Sequence, residues 1–165
     1  MEPERDAVDV ILEQWRAERP DLDASPMGVF GRLSRASRQL DRRLQENFAR
    51  FELQHWEFDV LATLRRSGAP YRLTAGGLVA SSMVTSGAIT NRIDRLVARG
   101  LVDREVDPAN RRSVLVTLTA AGLALVDEAV AAHVRHEEAL LAGLSTDDRT
   151  QLIGLLRTLS RSLDS

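Results

Sequence analysis

The chain has 165 residues, 44% of them hydrophobic and 28% charged, which describes a globular domain with a substantial core and not a disordered chain. It holds no cysteine, so disulfides, thiol redox sensing and thiolate zinc sites are excluded. A net charge of -2 argues against indiscriminate coating of nucleic acid, and no apolar run approaches the length of a membrane span.

The first residues, Met1-Glu2-Pro3-Glu4-Arg5-Asp6, do not set a basic stretch before an apolar one, so no secretory leader is expected and the chain reads as cytoplasmic. From about Met27 to Arg50, Val29, Phe30, Leu33, Ala36, Leu40, Leu44 and Phe48 recur at helical spacing, with Arg32, Arg35, Arg38, Arg42 and Arg43 largely on other sides. This pattern predicts a long amphipathic helix whose apolar stripe needs a cover.

Leu73 to Thr119 carries the most specific pattern. Thr74 is placed to cap a short helix over Ala75 to Ala80, Ser81-Ser82 interrupts it, and Thr85 or Ser86 is placed to cap a second helix that Gly100 ends after Arg99. Ile89, Ile93, Leu96 and Val97 share one face of that second helix and are expected in the core. The opposite side offers Gly87, Asn91, Asp94, Arg95 and Ala98, small or hydrogen-bonding groups suited to base edges. Leu101-Val102, Val106 and the alternating Val114, Val116 and Leu118 predict paired strands around the turn Asp107-Pro108-Ala109-Asn110, with Arg111 and Arg112 at the loop.

That layout is a winged helix-turn-helix, and its expected partner is double-stranded DNA. Permanently charged guanidinium groups at a hairpin tip suit phosphates or a narrow minor groove. From Thr85 to Arg112 six arginines stand against four acids, so this segment is net +2 within a chain of net -2. A local basic head on an acidic body is compatible with site-specific binding. The residues singled out for DNA are Thr85, Ser86, Gly87, Thr90, Asn91, Arg95, Arg111 and Arg112. The bland alternative is an ordinary α+β fragment with solvated arginines.

Thr119 to Leu141 forms another amphipathic pattern, and Ser145 with Asp148 gives a capping-box-like start to a last helix bearing Leu152, Ile153, Leu155, Leu156, Leu159 and Leu163. Packing of terminal helices from two chains covers such stripes, and a two-fold homodimer presents two recognition helices to a palindromic operator. Packing within one chain is the alternative. His133, His136 and Glu137 share one side of a helix where a divalent metal can bind, although surface or interface roles are commoner for such residues, and no metal is assigned. No glycine-rich phosphate loop or nucleophile elbow is present, and Gly76-Gly77 is too isolated to mark a nucleotide site, so neither an enzyme nor a cofactor is expected.

The chain resembles the MarR transcriptional regulators through Leu73-Thr74 to Ser82, Ser86 to Gly100, Asn110-Arg111-Arg112-Ser113 to Leu118-Thr119, and Ala121-Gly122, a likeness that covers nearly the whole length. The resemblance implies a mainly α fold with a small β-wing, an obligate dimer with recognition helices in consecutive major grooves, wings toward minor grooves, and repression as the outcome. The family wing commonly carries Asp-Arg-Arg-Ser, so Asn110 sets an amide where an acid able to brace the wing usually stands.

Gln14-Trp15-Arg16-Ala17-Glu18-Arg19-Pro20-Asp21-Leu22-Asp23 and Ser25-Pro26-Met27 resemble the extra N-terminal helix and linker of the urate-responsive branch of that family. This narrower likeness implies Trp15, Asp59, Arg92 and Arg104 as effector ligands. Urate at neutral pH is a flat monoanion, so guanidinium can meet its charge, indole can pack on its ring and aspartate can accept its N–H groups. Arg92 lies about 90° from the centre of its helix's apolar face and is placed to point toward the helix carrying Asp59. Urate competing for such a pair would shift the recognition helix. Each residue also has a plainer role: Trp15 anchoring its helix, Arg104 facing solvent on a strand, Asp59 as an exposed helix acid. The expected organisation is an extra helix and linker over 1–26, a dimerisation region over 27–55, the winged helix-turn-helix over 56–119 and dimerisation helices over 120–165. The alternatives are a different small phenolic effector, a metal, or a dimeric interaction protein without ligand response.

Overall fold

The computed structural model describes residues 5–81 and 89–164, which contain seven helices and three strands. The chain divides into two compact units, Met1–Glu46 and Asn47–Ser165.

In the first unit, α1 (Ala7–Glu18) starts at Asp6, whose carboxylate accepts from the amides of Val8 (2.7 Å) and Asp9 (3.1 Å) while the Asp9 carboxylate accepts from the Asp6 amide (2.9 Å). This reciprocal box satisfies amides that an unfinished helix end leaves open. Val8 and Leu12, one turn apart, are buried with Ala24. They lie over Gly28 and Gly31 of α2 (Ser25–Ala49), where an added Cβ would meet Leu12 Cδ1 and Val8 Cγ1 at 3.2 Å each. The Arg32 guanidinium of α2 binds the start of α1, donating from Nε to Asp6 Oδ2 (2.9 Å) and from Nη2 to Asp9 Oδ1 (2.7 Å). Val29, Phe30, Leu33 and Leu40 of the expected α2 stripe are exposed.

The second unit begins in the last turn of α2, where Phe48 is fully buried. Its core combines Phe58, Val60, Leu61 and Leu64 of α3 (His55–Arg66), Leu78 of α4 (Ala75–Ser81), and Ile89, Ile93 and Leu96 of α5 (Ile89–Ala98). Val102 of β2 (Val102–Asp107), Val116 and Leu118 of β3 (Asn110–Leu118), and Val126, Ala129 and Ala132 of α6 (Ala120–Leu140) complete it. Val97, expected in this core, is 36% exposed. At 100° per residue it falls about 80° from Ile89, at the edge of the stripe that the other three residues centre.

A short strand that the sequence pattern did not suggest, β1 (Arg72–Thr74), pairs antiparallel with β3 and gives the sheet order β1-β3-β2. Leu73, just before the expected Thr74 cap, is a strand residue opposite Val116. Three residues are too few to display an alternation. Thr74 nonetheless caps α4 as expected, its hydroxyl accepting from the Gly77 amide at 2.9 Å. Gly100, at φ +67°, closes α5 and turns the chain into β2.

Thr119 caps α6 through the Gly122 amide (2.9 Å), and the Leu101 carbonyl accepts from the Thr119 amide (3.2 Å). At Gly122 an added Cβ would lie 1.9 Å from that same Leu101 oxygen, so only glycine lets α6 start this close to the end of α5. The final helix, α7 (Thr146–Leu163), opens on the expected box between Ser145 and Asp148, and it buries none of its residues.

Candidate nucleic-acid interface and effector cleft

The interface is built on α5 and the β2–β3 hairpin. Core residues Ile89, Ile93 and Leu96 fix the rotation of α5, which leaves Thr90, Asn91, Asp94 and Arg95 exposed. Thr85, Ser86 and Gly87, also singled out for DNA, lie outside the described residues.

At the hairpin tip Asp107 Oδ1 accepts from the Ala109 amide (2.9 Å), which closes the turn. The amide at Asn110 braces the wing itself: its Oδ1 accepts from the Arg112 amide (3.2 Å) and its Nδ2 donates to Ser113 Oγ (3.0 Å). Arg111 and Arg112 project from this braced strand and are exposed.

Arg92 and Arg95 on one flank of α5, and Arg99 directly after it, all meet the first turn of α3. The guanidinium carbons of Arg92 and Arg95 lie 5.4 and 5.5 Å from the ring centroid of Trp56. Arg99 Nη1 is 3.0 Å from Oε1 of Glu57, a carboxylate only 5% exposed, whose Oε2 accepts from the Gln54 amide at 2.8 Å. A buried carboxylate is tolerated when both oxygens are bonded in this way. Arg95 was singled out as a base or phosphate contact, and its neighbour Trp56 was not singled out. The signal for Trp56 was an aromatic at the start of a helix facing two arginines three residues apart, which is legible only once the two helices are known to meet.

Among the described residues, Asp59, Arg92 and Arg104 of the second unit, three of the four implied for the effector, form no direct contact with one another. Trp15 is 40% exposed on α1, in the first unit. Asp59 lines a cleft of about 350 Å³ with Phe58, Ala62, Thr63, Arg66, Ala80 and Ser81, between α3 and the end of α4. Its Oδ1 is 3.9 Å from His55 Nε2. Arg92 reaches α3, as its position on the helix suggested, but it meets Trp56 one turn before Asp59 and forms no ion pair with Asp59 among the described residues. Arg104 of β2 is ion-paired with Asp94 of α5. Arg66 and Thr63, which sequence reasoning passed over, add a guanidinium and a hydroxyl to the Asp59 cleft, and Arg66 donates to Thr63 Oγ1 at 3.2 Å.

Of the α6 histidines, His133 packs against an aromatic cluster. The His133 ring lies 5.2 Å from Phe48 and 4.9 Å from Phe58, centroid to centroid, and its Nε2 is 3.2 Å from Glu137 Oε1. Among the described residues no group of three or more His, Cys, Asp or Glu is spaced to hold a metal ion, and no helix is long and apolar enough to cross a membrane.

A three-helix unit over a three-stranded sheet, with an exposed polar helix beside an arginine-tipped hairpin, defines a winged-helix DNA-binding protein. A MarR family model matches residues 51–113. The chain is 42% identical over 153 residues to the HTH-type transcriptional regulator PecS of Dickeya dadantii, covering 93% of this chain and 92% of that one. Among solved structures it is similar to Bordetella bronchiseptica BpsR, described with regulation of its DNA binding by 6-hydroxynicotinic acid (TM-score 0.71, 32% identity, 80% of this chain and 92% of that one). It is also similar to a mutant Escherichia coli MarR complexed with operator DNA (TM-score 0.71, 26% identity, 94% and 99%). The chain belongs to the MarR family: it is a DNA-binding transcriptional regulator and not an enzyme.

Proposed function

We propose that the chain is a homodimeric repressor that leaves a palindromic operator when it binds urate or a related purine. The observation that carries this reading is the position of Asp59, which opens into a cleft on the same helix face region whose preceding turn, at Trp56, holds Arg92 of α5. A ligand at Asp59 therefore sits one helical turn from a contact that orients α5. The cleft pairs a carboxylate with the Arg66 guanidinium against Phe58, a set matched to a flat anion with N–H edges, and its volume is within the range of small-molecule sites. BpsR supports a heterocyclic acid as the effector class, because 6-hydroxynicotinic acid regulates the DNA binding of that protein.

In this mechanism Thr90, Asn91 and Arg95 meet the major groove and Arg111 and Arg112 meet phosphates or the minor groove. Trp15, Asp59, Arg92 and Arg104 respond to the ligand. Ligand anion competes for the Arg92 guanidinium and rotates α5 away from its DNA-competent setting; the ligand must bind that second state more tightly for repression to lift. The exposed stripes on α2 (Val29, Phe30, Leu33, Leu40) and α7 (Leu152, Ile153, Leu155, Leu156, Leu163) support a second copy of the chain as their cover.

Isothermal titration with urate, xanthine and 6-hydroxynicotinate, paired with gel retardation on an inverted-repeat operator, tests the reading. Urate or xanthine binding that dissolves the retarded complex supports it. Absence of purine binding at millimolar concentration removes the effector assignment, and a monomer in sedimentation velocity removes the dimer.

A further inference from the structure

The dipeptide Trp56-Glu57 meets Arg92 and Arg95 of α5 and Arg99 just past its end, and its two members treat them differently. Glu57 is buried and binds Arg99 in an ion pair, which anchors the helix end. Trp56 is only half-buried, and the two guanidiniums over it belong to Arg92, which is half-buried, and Arg95, which is exposed. Both distances fall inside the roughly 6 Å reach of a cation–π contact.

We infer that Trp56 is a positioning residue for DNA binding: its indole holds the guanidiniums of Arg92 and Arg95 in place along α5 before the operator arrives. A guanidinium stacked on a ring keeps its in-plane N–H groups free for phosphate oxygens or base edges. Its side chain has already lost rotamer freedom that would otherwise be lost on binding, so affinity rises through preorganisation. The electron-rich ring face also offsets the repulsion between two cations three residues apart on one helix. Trp56 makes this contribution without touching DNA. The inference rests on α5 entering the DNA and is independent of which effector the protein answers.

Trp15 and Trp56 are the only tryptophans, so in a Trp15→Phe background fluorinated tryptophans label position 56 alone. Fluorine draws electron density from the ring face with little change of shape, which weakens a cation–π contact and leaves packing intact. Operator affinity, measured without effector, is expected to fall stepwise from tryptophan through monofluoro- to difluorotryptophan by about two- to fivefold in total at constant melting temperature. In an Arg92→Gln/Arg95→Gln protein the same series is expected to be flat. Trp56→Leu is expected to bind about tenfold more weakly with a shallower salt dependence, because the cations are less often in place. A flat series in the arginine-intact protein, or tighter operator binding on fluorination, overturns the inference. Because the fluorinated series preserves ring shape, it decides the matter even if Trp56→Leu does not fold, and because no effector is present its failure leaves the urate reading standing.

Discussion

The Arg104 guanidinium on β2 is ion-paired with the Asp94 carboxylate on α5, so the wing and the recognition helix are joined through two half-exposed side chains. Surface pairs of this kind contribute about 0–1 kcal/mol to stability, which makes a purely structural reason for the pair weak. Asp94 sets a negative charge on the exposed side of α5 that is proposed to face DNA, and its pairing with Arg104 occupies a cation beside the wing. Asp94→Asn is expected to leave the melting temperature nearly unchanged and to tighten operator binding several-fold at low salt, with a steeper salt slope. Gel retardation at two salt concentrations reads this directly. Weaker binding would mean that the carboxylate itself is used in recognition.

The wing gives a second expectation. Asn110 holds the Arg112 amide and the Ser113 hydroxyl, so the hairpin tip is fixed from within and Arg112 extends from a braced backbone. Arg112→Ala is expected to weaken operator binding across different sequences alike and to reduce the salt slope by about one, the signature of a lost phosphate contact. Asn110→Ala is expected to reproduce part of that loss while retaining the charge, whereas Asn110→Asp keeps an oxygen for the Arg112 amide and is expected to cost less. Equal affinities for all three variants would remove the wing from the DNA interface.

Much of this arrangement was legible in the sequence because it follows from local chemistry. The caps at Thr74 and Ser145, the Asp107 to Asn110 turn and the core face of α5 all depend on residues within a few positions of one another. What escaped depends on distant partners. β1 exists because Arg72 to Thr74 find Thr117 to Leu115 on β3, more than forty residues away. Trp56 and Arg66 acquire their meaning from α5 and from the end of α4, and neither neighbour is visible in a local pattern. Asn110 was read from its departure from the family wing, and the structure shows that an amide satisfies both sides of the same brace.

Gly122 offers a test of how α5 is held from behind. The start of α6 presses on the Leu101 carbonyl, which already accepts from the Thr119 amide, while the Thr119 hydroxyl donates to the Gly100 carbonyl at 2.8 Å. An alanine methyl would meet backbone, which has no rotamer to yield. Gly122→Ala is expected to cost about 1–3 kcal/mol. Thermal denaturation should show a drop of several degrees, on the scale of roughly 2–4 °C per kcal/mol for a chain of this size. Since the displaced segment follows the recognition helix directly, operator affinity is expected to fall as well. An unchanged melt would mean that α6 can retreat from Leu101 without loss.

The seat of α1 should fail in acid and hold at neutral pH. Asp9 has its carboxyl held below the usual carboxylate range, first by the Asp6 amide that it caps and then by the Arg32 guanidinium. A lowered pKa in the folded state means that this contribution is fully present above the ordinary aspartate value and is lost as pH falls through the lowered one. Emission from Trp15, read in a Trp56→Phe protein, is therefore expected to be constant from about pH 7 to 5 and to change only below about pH 4. Arg32→Gln removes the second of the two causes and leaves the Asp6 amide, so the transition is expected to move upward without reaching neutrality. A transition that ignores the loss of Arg32 would show that α1 is held by its apolar contact with Gly28 and Gly31 and not by this charge cluster, and one near pH 6 would show that a group other than Asp9 controls it.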